Sequence, residues 1–268
     1  MQDIDEKFSR LVQIMARLRG EDGCPWDRQQ THKSLRQHLI EEAYEVLETI
    51  DEERYDELPG ELGDLLLQVV FHAQMAEEAG LFTINDVVDS INEKLIRRHP
   101  HVFGDAEINT AEEQVVHWEQ SKIKKEGKKS AIDGVPRALP ALLRAYRMQN
   151  KAATMGFDWA DIGPVWEKVE EEMKELRQAA ESGNKEDIEE ELGDLLFSIV
   201  NLSRFLKVNP EDALRRTIEK FYRRFQQVEK EFEKREKPMT EATLDEMDKV
   251  WDHIKLSEKS QSNDTDDE

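Results

Sequence analysis

Acidic side chains are the residues of this chain whose type and spacing could do chemistry. Glu42 and Glu45, in the run Glu41-Glu42-Ala43-Tyr44-Glu45, stand three apart, as do Glu61 and Asp64 in Glu61-Leu62-Gly63-Asp64. Residues three apart share a helix face, with Cβ atoms about 5–6 Å from one another. Both pairs fall at the edge of an apolar stripe rather than opposite it, a costly place for a carboxylate without a counter-charge. If the two helices fold back on each other across Pro59-Gly60, four carboxylates converge. Such a group stays ionised only when a cation neutralises it, and hard oxygen donors in that number suit Mg2+ or Mn2+. Both patterns return as Glu172 with Glu175 and Glu191 with Asp194, each displaced by 130 residues. One acidic motif alone reads as a solvated face, and its glycine as a helix-packing residue. Two motifs repeated at equal internal spacing point instead to a pair of metal sites.

Two further blocks repeat in the same order. Lys94-Leu95-Ile96-Arg97-Arg98 pairs with Lys220-Phe221-Tyr222-Arg223-Arg224, and Trp118-Glu119-Gln120-Ser121-Lys122 pairs with Trp251-Asp252-His253-Ile254-Lys255. Each basic block places three cations within one and a half helical turns. Guanidinium forks match phosphate oxygens and the lysine adds a point charge, so a polyphosphate is the ligand expected beside the metal. Trp118 and Trp251 either stack on a base or fill core. Ferritin-like di-iron chemistry is excluded, because it needs E-x-x-H and none of the seven histidines stands three residues after a glutamate. No G-x-x-x-x-G-K-[ST] or G-x-G-x-x-G phosphate cradle occurs. Cys24, the single cysteine, has no activating partner in sequence and reads as structural.

The elements that must carry these groups are helical. Phe8, Leu11, Val12, Met15 and Leu18 recur at three and four, as do Leu35, Leu39, Ala43, Val46, Leu47 and Ile50. A more apolar helix is expected from about Glu61 to Glu78, and another from Ile84 to Arg98, stopped by Pro100. No alternating run supports a strand, so the fold class is all-α, with a duplicated domain. The expected order is a first domain over 1–120, a linker over 121–136, a second domain over 137–256 and a disordered acidic tail over 257–268. The linker holds Lys122, Lys124, Lys125, Lys128 and Lys129 around Gly127. A net charge of −22, from 38 basic and 60 acidic residues, argues against a nucleic-acid polymer as partner. No apolar stretch approaches the ~20 residues of a membrane span. With one cysteine and no signal-peptide core, a cytoplasmic location is expected.

Together these motifs resemble the MazG family of nucleoside triphosphate pyrophosphohydrolases, within the all-α NTP pyrophosphatase superfamily. The likeness extends to Gly23-Cys24-Pro25-Trp26-Asp27, Arg97-Arg98-His99-Pro100-His101-Val102-Phe103, Gly156-Phe157-Asp158-Trp159 and Arg223-Arg224-Phe225. It is closest to the tandem-domain bacterial form and leaves only the polar tail outside. The resemblance implies hydrolysis of an NTP between its α and β phosphates, in nucleotide-pool housecleaning or a stress response. It implies Mg2+, with Mn2+ as a possible substitute, on Glu42, Glu45, Glu61 and Asp64, and again on Glu172, Glu175, Glu191 and Asp194. Lys168, Lys220, Arg223, Arg224 and Trp251 match substrate-contacting positions. Glu171, Glu172, Glu189, Glu190 and Phe221 are counted with them, as are Lys94, Arg97, Arg98 and Trp118 of the first copy. A homodimer is also implied, with helices of both subunits building each four-helix core.

Glu41 and Glu171, the first residues of each E-E pair, are the candidates for taking a proton from the attacking water. The second copy is favoured as the working site for its acidic lead-in, Glu189-Glu190, although both copies keep all four ligands. Two other readings share the motifs. One is a narrow dUTPase-like or phosphoribosyl-ATP hydrolase, the other a non-catalytic helical sensor that binds metal or nucleotide.

Overall fold

The computed structural model describes residues 2–110, 113, 114, 117, 118 and 130–264. The chain forms two compact units, Met1–Gln114 and Val115–Glu268. The division lies a few residues before the expected boundary. The lysines from Lys122 to Lys129 lie outside the described residues. All regular elements among the described residues are helical.

The first unit contains α1 (Gln2–Arg19), α2 (Pro25–Gln29), α3 (Arg36–Asp51), α4 (Leu58–Glu78), α5 (Ile84–Arg98) and α6 (Pro100–Phe103). Its core is Met15, Leu35, Val70, Phe71 and Met75, with Phe8, Leu11, Val12, Leu67 and Ile84 packed against it. Thus α1 meets α4 through the stripe that its sequence displays at three and four. Thr83 and Asp86 form a reciprocal capping box that starts α5 where Ile84 was expected to start it. Its backbone and side-chain hydrogen bonds hold the Asp86 carboxyl below the usual carboxylate range.

The second unit contains α7 (Ala141–Ala153), α8 (Gly163–Ser182), α9 (Lys185–Phe205), α10 (Pro210–Lys234), a 3-10 turn (Met239–Glu241) and α11 (Leu244–Asp264). The closest pairing is α8 with α9, a hairpin closed by two residues. Gly183 takes the left-handed conformation, φ 74°, and Asn184 caps α9 by accepting the Glu186 N–H at 3.1 Å. Helices α10 and α11 pack through Val228, Phe232, Val250 and Ile254, with Trp251 at the edge. Lys151, buried on α7, donates to the carbonyls of Ala131 and Asp133 and so ties residues 131–133 to the unit.

Helix α11 runs to Asp264, into the stretch expected to be a tail. The physical reason is a long-range tie: Arg224 of α10 donates to Glu258 at 2.7 Å. The glycines of the two acidic motifs stand in open space. A Cβ at Gly63 or Gly193 would meet nothing within 4 Å, so neither glycine serves helix packing within its unit.

Because a left-handed residue closes the α8–α9 turn, Gly183→Ala should lower stability by about 1 kcal/mol. Chemical denaturation measures it; unchanged stability would show that the turn adapts freely.

Candidate active site

Each helical hairpin brings its acidic motifs together. Glu42 and Glu45 come from α3 and Glu61 from α4, with one carboxylate oxygen of each within 4.8 Å of the others. Glu172 and Glu175 of α8 meet Glu191 of α9 in the same way. Asp64 and Asp194 stand outside these threefold groups but close enough for their charges to be felt, by Glu42 and Glu191 respectively.

The cost of this crowding is visible in proton affinities. Desolvation raises the Glu42 carboxyl above its ordinary value, with Asp64 and Glu45 adding repulsion. Desolvation likewise raises Glu191, and Glu175, Glu172, Asp194 and Glu190 add to it. A group raised in this way contributes its stability at low pH and loses it as pH rises through the raised value. The charged forms of Glu42 and Glu191 are therefore the ones that the fold disfavours.

The second cluster is deeper. Glu172 is only 5% exposed, and its Oε2 is buried without a hydrogen-bond partner. A buried carboxylate oxygen with no donor is expensive, and its chemistry fits a metal ligand. Oε1 of the same carboxylate accepts from Lys168 Nζ at 2.6 Å, and Lys168 also donates to Glu171 at 3.0 Å. Those bonds raise the Lys168 ammonium above the usual lysine range, Glu172 contributing most. In the first unit the position 130 residues earlier is His38, which meets Glu41 at 3.2 Å while Gln37 donates to the same carboxylate. Glu42 there receives a long contact, 3.5 Å, from Gln68.

The other sequence-expected residues are more dispersed. Glu189 and Glu190 are exposed on α9, beside the ligands. Lys220, Phe221 and Arg223 are exposed on α10, whereas Arg224 is half-buried, bonded to Glu258 and 5.9 Å from the Trp251 ring. Phe221 also packs on Trp251, with ring centroids 5.4 Å apart. Trp251 thus belongs partly to the α10–α11 core. Among the described residues, no hydrogen bond or ion pair joins Lys220, Arg223 or Arg224 to the carboxylates of the second cluster. In the first unit Lys94 and Arg97 are exposed and Arg98 half-buried on α5; Trp118, half-buried, falls beyond the division at Gln114.

Sequence reasoning missed a cavity that opens beside Lys168, lined by Gln149, Phe157, Trp159 and Asn201, with the Asp158–Arg204 ion pair at its edge. A usable signal existed: Ser198 and Asn201 are polar residues on the buried stripe of α9, where Gln68 and Phe71 stand on α4.

A "MazG nucleotide pyrophosphohydrolase domain" is recognised twice, over residues 30–103 and 165–229. The chain is 51% identical over 250 residues to a Thermotoga maritima "nucleoside triphosphate pyrophosphohydrolase/pyrophosphatase MazG", covering 92% of this chain and 95% of that one. It is 48% identical over 260 residues to an Escherichia coli K12 "nucleoside triphosphate pyrophosphohydrolase", covering 94% and 98%. A Mycobacterium tuberculosis protein of the same description is 41% identical over 153 residues, covering 56% of this chain and 46% of its own.

Replacing Glu191 with Gln removes one of the repelling charges. The variant should melt higher than wild type in EDTA at neutral pH, and Mg2+ should raise its Tm less. Identical Mg2+ shifts in the two proteins would argue against a cation in this cluster.

Proposed function

The chain belongs to the MazG nucleotide pyrophosphohydrolase family and is a nucleoside triphosphate pyrophosphohydrolase; on that premise we propose that it works with Mg2+ and that the second unit carries most of the turnover. The observation that carries this reading is the buried, half-satisfied Glu172 converging with Glu175 and Glu191 and bonded to Lys168.

Glu172, Glu175, Glu191 and Asp194 would hold the metal, and Glu42, Glu45, Glu61 and Asp64 its counterpart in the first unit. The ion would offset triphosphate charge and acidify a bound water. Lys168 fixes two acids in one place: it orients Glu172 among the ligands and holds Glu171 at its flank. From there Glu171 is the residue we assign to receive the water's proton, and Glu41 is its first-unit counterpart. Lys220, Arg223 and Arg224 supply the guanidinium and ammonium groups suited to the departing pyrophosphate. The α–β phosphoanhydride breaks, and the products are NMP and pyrophosphate.

A homodimer belongs to the same proposal. Leu62, Leu66 and Val69 form an exposed stripe on α4, and Leu192, Leu196 and Ile199 repeat it on α9. Such stripes favour a covering partner, and the open space over Gly63 and Gly193 would admit a helix closely. A second copy supplying that helix would complete each four-helix core. Among the described residues no helix is long and apolar enough to cross a membrane. We place the enzyme in the cytoplasm, with the nucleotide pool, in a housecleaning role.

Product analysis after incubation with Mg2+ and ATP should show AMP and pyrophosphate; ADP with orthophosphate would overturn the assignment. Glu172→Gln should lower turnover by about 100-fold or more, since it removes a charge needed at the reacting centre. Retained turnover in that variant, with loss in Glu42→Gln, would move the working site to the first unit. Leu196→Glu should shift the sedimentation of the chain towards the monomer, and an unchanged dimer would exclude this stripe as the interface.

A further inference from the structure

Two histidines of the first unit, neither of them a member of a carboxylate cluster, face each other. Nδ1 of His32 and Nδ1 of His72 are 2.8 Å apart, with the rings 5° from parallel and their centroids 5.1 Å apart. At that distance a single proton lies between two nitrogens: one ring donates it and the other accepts it. His32 is exposed and His72 half-buried, so the pair is open to solvent on the His32 side.

Both rings are presented by fixed backbone. His72 stands within α4. His32 lies in the short turn ahead of α3, which its own side chains hold. The Thr31 N–H donates to Ser34 Oγ at 2.9 Å, and the Ser34 N–H donates to Thr31 Oγ1 at 3.1 Å. Ser34 Oγ in turn donates to Gln30 Oε1 at 2.7 Å. Leu35, 1% exposed, anchors the turn in the core. Two ligands held in place beforehand lose little freedom when an ion binds them.

Packing does not require this pair. At a displacement of 130 residues Leu35 corresponds to Val165, which is also 1% exposed. The same displacement takes His32 to Ile162 and His72 to Leu202, so the second unit has hydrocarbon in both places. Burial, and then the His32 charge, lowers the proton affinity of His72. That favours the neutral imidazole, the form that ligates a metal.

We propose that His32 and His72 form a binding site for a borderline divalent transition-metal ion such as Zn2+, with ligands distinct from those of the carboxylate clusters. Imidazole nitrogen suits Zn2+, Ni2+ and Cu2+, whereas carboxylate oxygens suit Mg2+. The ion takes the place of the shared proton. Zn–N bonds of about 2.0–2.1 Å at a tetrahedral angle set the two nitrogens roughly 3.3 Å apart, so the rings part by about half an ångström. Among the described residues no third His, Cys, Asp or Glu closes on the pair, so water completes the coordination. Bound there, the ion clamps the turn ahead of α3 to α4, and these two helices carry the first carboxylate cluster.

The test is calorimetric titration of the untagged chain with Zn2+, in a large excess of Mg2+ that occupies the carboxylates. His32→Ile and His72→Leu place the second unit's residues in the first. Wild type should bind one equivalent of Zn2+ more than either variant. His32 is exposed, so His32→Ile leaves the core intact and decides the matter even if His72→Leu fails to fold. Zn2+ should also raise the Tm of wild type more than that of His32→Ile. Equal Zn2+ stoichiometry in wild type and His32→Ile would overturn the proposal, as would equal Tm shifts.

Discussion

Everything in this molecule turns on a repulsion. Carboxylates that would separate in water are carried on helices whose other faces must pack, so the fold holds them together against their charge. The three-residue spacing puts two of them on one face, and the hairpin brings the next helix alongside. Desolvation and mutual charge then raise the proton affinity of Glu42 and Glu191. A divalent cation bound there would offset those charges and so stabilise the protein that binds it.

The two copies share this device but differ in how far they commit to it. In the second, Glu172 is buried, Lys168 fixes it, and a polar-floored cavity adjoins it. In the first, His38 occupies the lysine's position and contacts Glu41 rather than Glu42, while Phe71 stands at the position of Asn201 and packs in the core. Duplication thus preserved the ligand set while the surroundings diverged.

The legible part of the structure follows from the range of the interactions concerned. Helix spacing is local, so the stripes on α1 and α3 and the span of α5 could be read directly, and the acidic motifs with them. The Thr83–Asp86 box marks its helix start within four residues. Interactions across the chain left weaker signs. Arg224 reaches Glu258 over 34 residues and extends α11 into the expected tail. Gln149 bonds Phe197 across 48 residues, and Arg204 pairs with Asp158 across 46, so no spacing rule could assemble that cavity.

The claim that the second cluster is built for a divalent ion has a direct test that involves no turnover. Mn2+ titrated into the metal-stripped protein can be followed by the electron paramagnetic resonance signal of the free ion. The account predicts that early additions are silent because they are bound, and that the Glu172→Gln, Glu191→Gln double variant silences fewer equivalents. A free-ion signal rising from the first addition in wild type, or equal binding by the double variant, would contradict it.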